Sequence, residues 1–227
     1  MPAAKSKVRY EDLGEFLKRL GNISPKRICM NPPPGTATER DLVRLHGARR
    51  ALYELIDGTL VEKGMGHRES HVASELARLL ASFVIEHDLG YCTGADDIVR
   101  AMPGLVRGPD LTFVSWATRP ERVVPQEQIS TKVPDLAVEV LSPSNTRKEM
   151  QIKLKEYFLG GVKLVWLIDP EARTAETYTA PDKVTAITAG GTLDGGTVLP
   201  GFSLPLATLF AKFGPPEKKP VKRKKKK

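Results

Sequence analysis

The chain has 227 residues, 41% hydrophobic and 27% charged, which suits one globular domain with a sizeable core plus tails. No apolar run approaches the roughly 20 residues of a membrane helix and no apolar signal core opens the sequence, so the expected setting is soluble and cytoplasmic. Of the formal charge of +8, +7 falls on the segment from Pro215 to Lys227, and Cys29 and Cys92 lie too far apart, without zinc-spaced histidines, for a structural zinc or a disulfide framework.

Residues 1–43 read as an appendage. Apolar residues at helical spacing (Leu13, Phe16, Leu17, Leu20) are followed by Gly21 and by the stiff Pro32-Pro33-Pro34 linker, and compact order is expected from about Arg44. Ala51–Lys63 is a hairpin candidate, since two alternating segments flank Asp57-Gly58, the pair preferred where both turn residues need positive φ. His67–His87 carries Val72, Leu76, Leu79, Leu80, Phe83 and Val84 on one helical face. Short strands are expected at Tyr91–Thr93, Ile98–Arg100 and Asp110–Ser115, then a polar loop to Thr131. In the strand Val133–Leu141, Leu136, Val138 and Val140 point one way, and Asp135, Ala137, Glu139 and Leu141 the other.

A helix over Thr146–Leu159 follows, with Asn145 or Ser144 as N-cap and Gly160-Gly161 as its end. Val162–Ile168 is a continuous apolar run, as in a buried central strand, and the remainder to Phe210 reads as shorter strands with Gly-rich turns. The pattern is α/β or α+β, one central sheet with helices on its faces. The last segment, PPEKKPVKRKKKK, repels itself and is expected as a disordered arm. It suits phosphate backbones through counterion release, and it equally suits a solvated tail that aids solubility.

Three acidic positions stand out. Asp110 opens a strand directly after Pro109, Glu139 lies inside the apolar strand LAVEVL, and Glu54 sits in the first hairpin strand. An ionised carboxylate in such a strand is costly unless paired or bound to a cation, and carboxylates without histidine or cysteine suit a hard ion such as Mg²⁺ or Mn²⁺. For a lone strand glutamate, an outward-facing residue is the commoner outcome. Glu149, Lys153 and Tyr157 share one face of the following helix, and alone that stripe reads as a solvated face.

The run PDLAVEVLSPSNTRKEMQIKLKEYFLGGVKLVWLIDP resembles the signature block of the Uma2 (DUF820) family of restriction-endonuclease-like proteins. YELIDGTLVE (53–62), His71, RGPDLTFVS (107–115) and LPGFSLPLATLF (199–210) support it, and the resemblance covers roughly residues 44–212. It implies a PD-(D/E)xK core, a central mixed sheet flanked by helices, in which Asp110 and Glu139 hold a divalent metal and Glu54, the upstream acid, completes the metal shell or holds a bridging water. The superfamily lysine two residues after the glutamate is replaced here by Leu141, and the resemblance supplies it instead from the next helix, as Lys153 with Lys155 as alternative. His71 and Tyr157 are accessory candidates. The implied activity is Mg²⁺-dependent hydrolysis of phosphodiester bonds in DNA, which a homodimer would suit. The competing readings are an inactive nuclease fold that binds nucleic acid or a protein, and a metal-dependent hydrolase of another substrate.

Overall fold

The computed structural model describes residues 10–47, 51–64 and 66–214, and the basic arm expected from Pro215 lies outside them. Helices α1 (Leu13–Arg19) and α2 (Glu39–Gly47) precede the hairpin β1 (Tyr53–Ile56) and β2 (Thr59–Glu62). The long helix α3 (His67–Glu86) leads to β3 (Gly90–Gly94), β4 (Val99–Met102), β5 (Leu105–Arg107), β6 (Leu111–Ser115) and β7 (Leu136–Val140). Helix α4 (Arg147–Gly160) connects β7 to β8 (Leu164–Asp169). β9 (Thr174–Ala180), β10 (Lys183–Ile187), β11 (Thr192–Asp194), β12 (Ser203–Pro205) and α5 (Leu206–Leu209) follow.

The fold is α+β around a six-stranded mixed sheet of order β10-β9-β8-β7-β6-β3, in which β7 and β8 run parallel and the other pairs antiparallel. Leu136, Val138 and Val140 face α3, where Val72, Leu76, Leu80 and Val84 complete the largest core. The alternate face carries Ala137, Val165 and Leu167 against Met150, Leu154 and Tyr157 of α4. Glu139 therefore points toward α4, as the period of two requires. The helix begins at Arg147, one residue later than expected, with Thr146 rather than Asn145 or Ser144 as its N-cap. The Thr146 hydroxyl accepts the Glu149 N–H while the Glu149 carboxylate accepts the Thr146 N–H, a reciprocal capping box. Asn145 instead accepts the Ser142 N–H and closes the preceding turn.

A second, four-stranded antiparallel sheet of order β2-β1-β5-β4 stands beside the central one. Its hairpin is as the sequence predicts, with Asp57 and Gly58 at φ 48° and 73° and Ile56 opposite Thr59. The three-residue strand β5 is too short to show an alternation, so this sheet is not legible as a unit in the sequence.

The second sheet also explains where residues 10–43 go. The sequence sets them apart as an appendage, whereas Phe16, Leu20, Ile23 and Ile28 pack on Ile56, Val61, Ala101 and Leu105. Ala37 and Leu42 cover the opposite face with Leu55, Leu60 and Val106. Both faces of a small sheet need apolar cover, and the segment before the proline run supplies part of it. Arg27 completes the attachment with a buried bidentate pair to Glu149, at 3.0 and 2.7 Å. Gly21 approaches so closely that a Cβ there would lie 2.5 Å from the Glu149 backbone.

Two outcomes follow. Leu20→Ala should cost about 2–5 kcal/mol in urea unfolding, as for a core leucine, whereas a detached appendage would leave stability unchanged. Burial works against the Glu149 anion, but the hydrogen bonds and charge of Arg27, with Lys153, hold its pKa below the ordinary 4.5. A depressed carboxylate stabilises the fold above its unfolded pKa, and that stability is lost as pH falls through the folded pKa. Stability measured below pH 4.5 should therefore fall less steeply in Glu149→Gln than in wild type.

Candidate metal-binding and catalytic site

The hairpin register builds the first half of the site. Glu54 pairs with Val61, so Lys63, two residues beyond Val61, lies on the same sheet face, and the Lys63 N–H to Leu52 carbonyl bond (2.8 Å) extends the ladder to it. Val106 pairs with Leu55, which sets Arg107 across from Glu54. The second half comes from the central sheet. Asp110, after Gly108-Pro109, donates its N–H to the Val138 carbonyl at 2.9 Å, and its Oδ2 accepts the Val140 N–H at 2.6 Å. Asp110 is thus tied to the backbone on both sides of Glu139, by its own N–H on one side and by its carboxylate on the other.

Helix α4 joins the halves. The Lys153 ammonium lies 2.9 Å from Glu54 Oε1 and 3.0 Å from Glu139 Oε1, and the Tyr157 hydroxyl donates to the same Glu139 oxygen. Arg107 reaches Glu54 Oε2 at 2.6 Å and grips Glu156 through Nε at 2.9 Å and through Nη2. Lys63 lies 2.7 Å from Asp110 Oδ1 and donates to the Gly108 carbonyl. Four carboxylates therefore face three cations, and all but the half-buried Lys63 are buried: Glu54 is 1% exposed, Lys153 2%, Glu139 3% and Asp110 4%.

The excess negative charge is not shared evenly. Burial opposes ionisation of Glu54, but Lys153, Arg107 and Lys63 outweigh it and hold the pKa far below the ordinary range. For Glu139 burial prevails over Lys153 and Lys63, with Asp110 and Glu54 adding repulsion, and the pKa is raised. Burial also lifts the Tyr157 phenol well above its ordinary pKa, reinforced by Glu139 and Glu54, so it stays a proton donor. Lys153 is held charged, since Glu139 and Glu54 outweigh its burial.

The oxygens differ in what they have left to offer. Both Glu54 oxygens are engaged, Oε1 by Lys153 and the Gly108 N–H and Oε2 by Arg107. Glu139 spends Oε1 on Lys153 and Tyr157, and among the described residues nothing bonds its Oε2. Asp110 Oδ1, although charge-paired with Lys63, is buried without a hydrogen bond, because that ammonium is aimed at the Gly108 carbonyl. One open oxygen on each of two adjacent strands suits a hard cation that keeps water and substrate oxygens for its remaining positions. No group of three or more histidine, cysteine or carboxylate side chains able to hold a metal occurs among the described residues, so Glu54 does not complete a triad.

The structure thus brings Asp110, Glu139, Glu54, Lys153 and Tyr157 together. The expected solvated stripe on α4 is its buried polar face, and Glu139 is enclosed rather than outward-facing. Lys155 is exposed, and His71 is exposed with its ring 4.8 Å from that of Phe213, away from these contacts. Sequence reasoning missed Lys63, Arg107 and Glu156. Lys63 was legible, because the two-residue turn dictates that it shares a face with Glu54. Arg107 and Glu156 depend on β5 and on the packing of α4, which carry no local signal. A cleft of about 820 Å³, lined by Arg68, Ser142, Asn145, Arg147 and Tyr178 among others, opens where β7 passes into α4.

A mixed sheet with carboxylates on adjacent strands, buttressed by a lysine from the following helix, defines a protein of nuclease-type fold. The chain belongs to the Uma2 family, whose model, described as "Putative restriction endonuclease", matches residues 40–207. Among solved structures it is similar to a protein from Anabaena variabilis ATCC 29413 titled a "putative nuclease belonging to DUF820". The two are 20% identical, the match covers 88% of this chain and 97% of that one, and the TM-score is 0.62. None of the curated proteins matches.

Removing Lys153 strands two buried carboxylates. Lys153→Met should cost about 3–5 kcal/mol in chemical denaturation, the range for breaking one side of a buried pair. Adding Glu139→Gln should recover part of that loss, and strictly additive costs would show that the two side chains do not interact.

Proposed function

We propose that this protein is a divalent-metal-dependent endonuclease that hydrolyses phosphodiester bonds in DNA, with Asp110 and Glu139 holding Mg²⁺ or Mn²⁺. The observation that carries this reading is the pair of oxygens taken by no hydrogen bond, Asp110 Oδ1 just before β6 and Glu139 Oε2 on the paired strand β7, within one buried cluster. Such an ion, when bound, lowers the pKa of water and offsets the charge that develops on a phosphate. The protein's own groups do the positioning. Val140 fixes the Asp110 carboxylate, and Tyr157 and Lys153 fix Glu139 by one oxygen so that the other points free. Glu54 anchors Lys153 and Arg107, and acts through them rather than as a third ligand.

One observation favours the alternative, a nuclease fold that binds without cleaving: the carboxylates are deeply buried and already neutralised by lysines. Metal binding separates the two. Glu139→Gln and Asp110→Asn should each abolish Mg²⁺- or Mn²⁺-dependent cleavage of plasmid and single-stranded DNA, by orders of magnitude, with the fold retained. Equal cleavage by wild type and Glu139→Gln would place the chemistry elsewhere. A wild type that binds Mn²⁺ through Asp110 yet never cleaves would establish the binding-only reading.

The basic arm serves affinity in this proposal. Truncation after Gly214 should weaken DNA binding and flatten its dependence on salt, because fewer phosphate contacts release fewer counterions. An unchanged salt slope would mark the arm as a bystander.

A further inference from the structure

Asp110 has two carboxylate oxygens, and its backbone surroundings consume one. Oδ2 is held by the Val140 N–H at 2.6 Å, which leaves Oδ1 as the oxygen available to a cation. Lys63 stands there, with its Nζ 2.7 Å away. The contact is electrostatic rather than directional, since the ammonium donates to the Gly108 carbonyl and Oδ1 makes no hydrogen bond. Lys153 is placed differently. It bridges Glu54 and Glu139 through one oxygen of each and leaves Glu139 Oε2 open.

We propose that Lys63 is an exchangeable internal counter-ion: it occupies the cation position at Asp110, holds the carboxylate in place, and must swing away when a divalent metal binds. The inference rests on the assignment of Asp110 and Glu139 as metal ligands. A magnesium ion sits about 2.0–2.1 Å from its oxygen ligands, so an ammonium in contact with the same oxygen would face the dication at close range in a medium that screens poorly. Its four-carbon stem and neutral second acceptor, the Gly108 carbonyl, make Lys63 the ion able to leave. Lys153, held between two carboxylates, stays. Lys63 thereby sets metal affinity below what the carboxylates alone would give.

The test is Mn²⁺ titration of the full chain, with free Mn²⁺ read by electron paramagnetic resonance, for wild type, Lys63→Met and Asp110→Asn. Lys63→Met should bind about tenfold or more tightly than wild type, a difference of about 1.4 kcal/mol or greater. Asp110→Asn should lose the site. Equal or weaker binding by Lys63→Met overturns the proposal while leaving the metal site standing. No Mn²⁺ binding by either folded protein overturns both. Because Lys63→Met leaves Asp110 without its charge partner, a second measurement uses wild type alone: acylation of lysine amines by an N-hydroxysuccinimide ester, mapped by mass spectrometry with and without Mn²⁺. Labelling of Lys63 should rise several-fold on metal binding while Lys153 stays protected. Lys63 labelling unchanged at saturating, bound Mn²⁺ also overturns the proposal.

Discussion

The Lys153 ammonium, held between Glu54 and Glu139, is the interaction on which the remaining architecture depends. Glu54 belongs to the four-stranded sheet and Glu139 to the six-stranded one, and neither carboxylate could be buried ionised without a cation between them. The helix that supplies this cation extends the arrangement along one face. Glu149, one turn earlier, takes Arg27 from the N-terminal segment, and Glu156, one turn later, takes Arg107 from β5. The polar face of α4 is therefore the junction at which the N-terminal segment and both sheets meet.

That junction is poorly explained by stability alone. Several charges are removed from water at considerable cost, and buried ion pairs are often replaced by apolar residues with no loss of stability. Apolar side chains on α4 could seal both sheets just as well, as Met150 and Leu154 do on its neighbouring positions. What an apolar seal cannot supply is a pair of carboxylate oxygens held in place but left open. The network holds Asp110 and Glu139 by part of their bonding capacity, and under the proposed function this partial engagement would tie the cost of burial to metal binding.

Much of this was legible in the sequence, and the exceptions have physical causes. The strand LAVEVL declares its own two faces, the Asp57-Gly58 pair sets the hairpin register, and the Glu149, Lys153 and Tyr157 spacing follows from the helical period. Periodicity alone could not tell whether that stripe met solvent or protein. A helix that turns glutamate, lysine and tyrosine inward looks outwardly polar, and only the facing residues Glu54, Glu139 and Arg107 reverse the sense. Residues 10–43 were misread for a related reason: their apolar positions complement a sheet whose fourth member, β5, is three residues long. The identity of the open oxygens was beyond sequence reasoning, because it depends on which lone pairs the neighbours take.

The charge distribution sets the domain apart from the C-terminal segment. Residues 1–214 carry a formal charge of only +1, and within them the cations nearest the candidate site are turned inward, each matched to a carboxylate. Charges paired within a few ångströms cancel at distance, so the site projects little attraction toward a polyanion beyond a Debye length of about 8–10 Å. The segment from Pro215 to Lys227 carries +7, with a single glutamate against eight basic residues in its own sequence. Under the proposed function, attraction at long range and chemistry at short range would therefore fall to different parts of the chain. In the proposed reading, a basic surface close to the paired carboxylates would compete with a bound metal, whereas basicity confined to the far end of the sequence would draw in nucleic acid without disturbing the balance around Asp110 and Glu139.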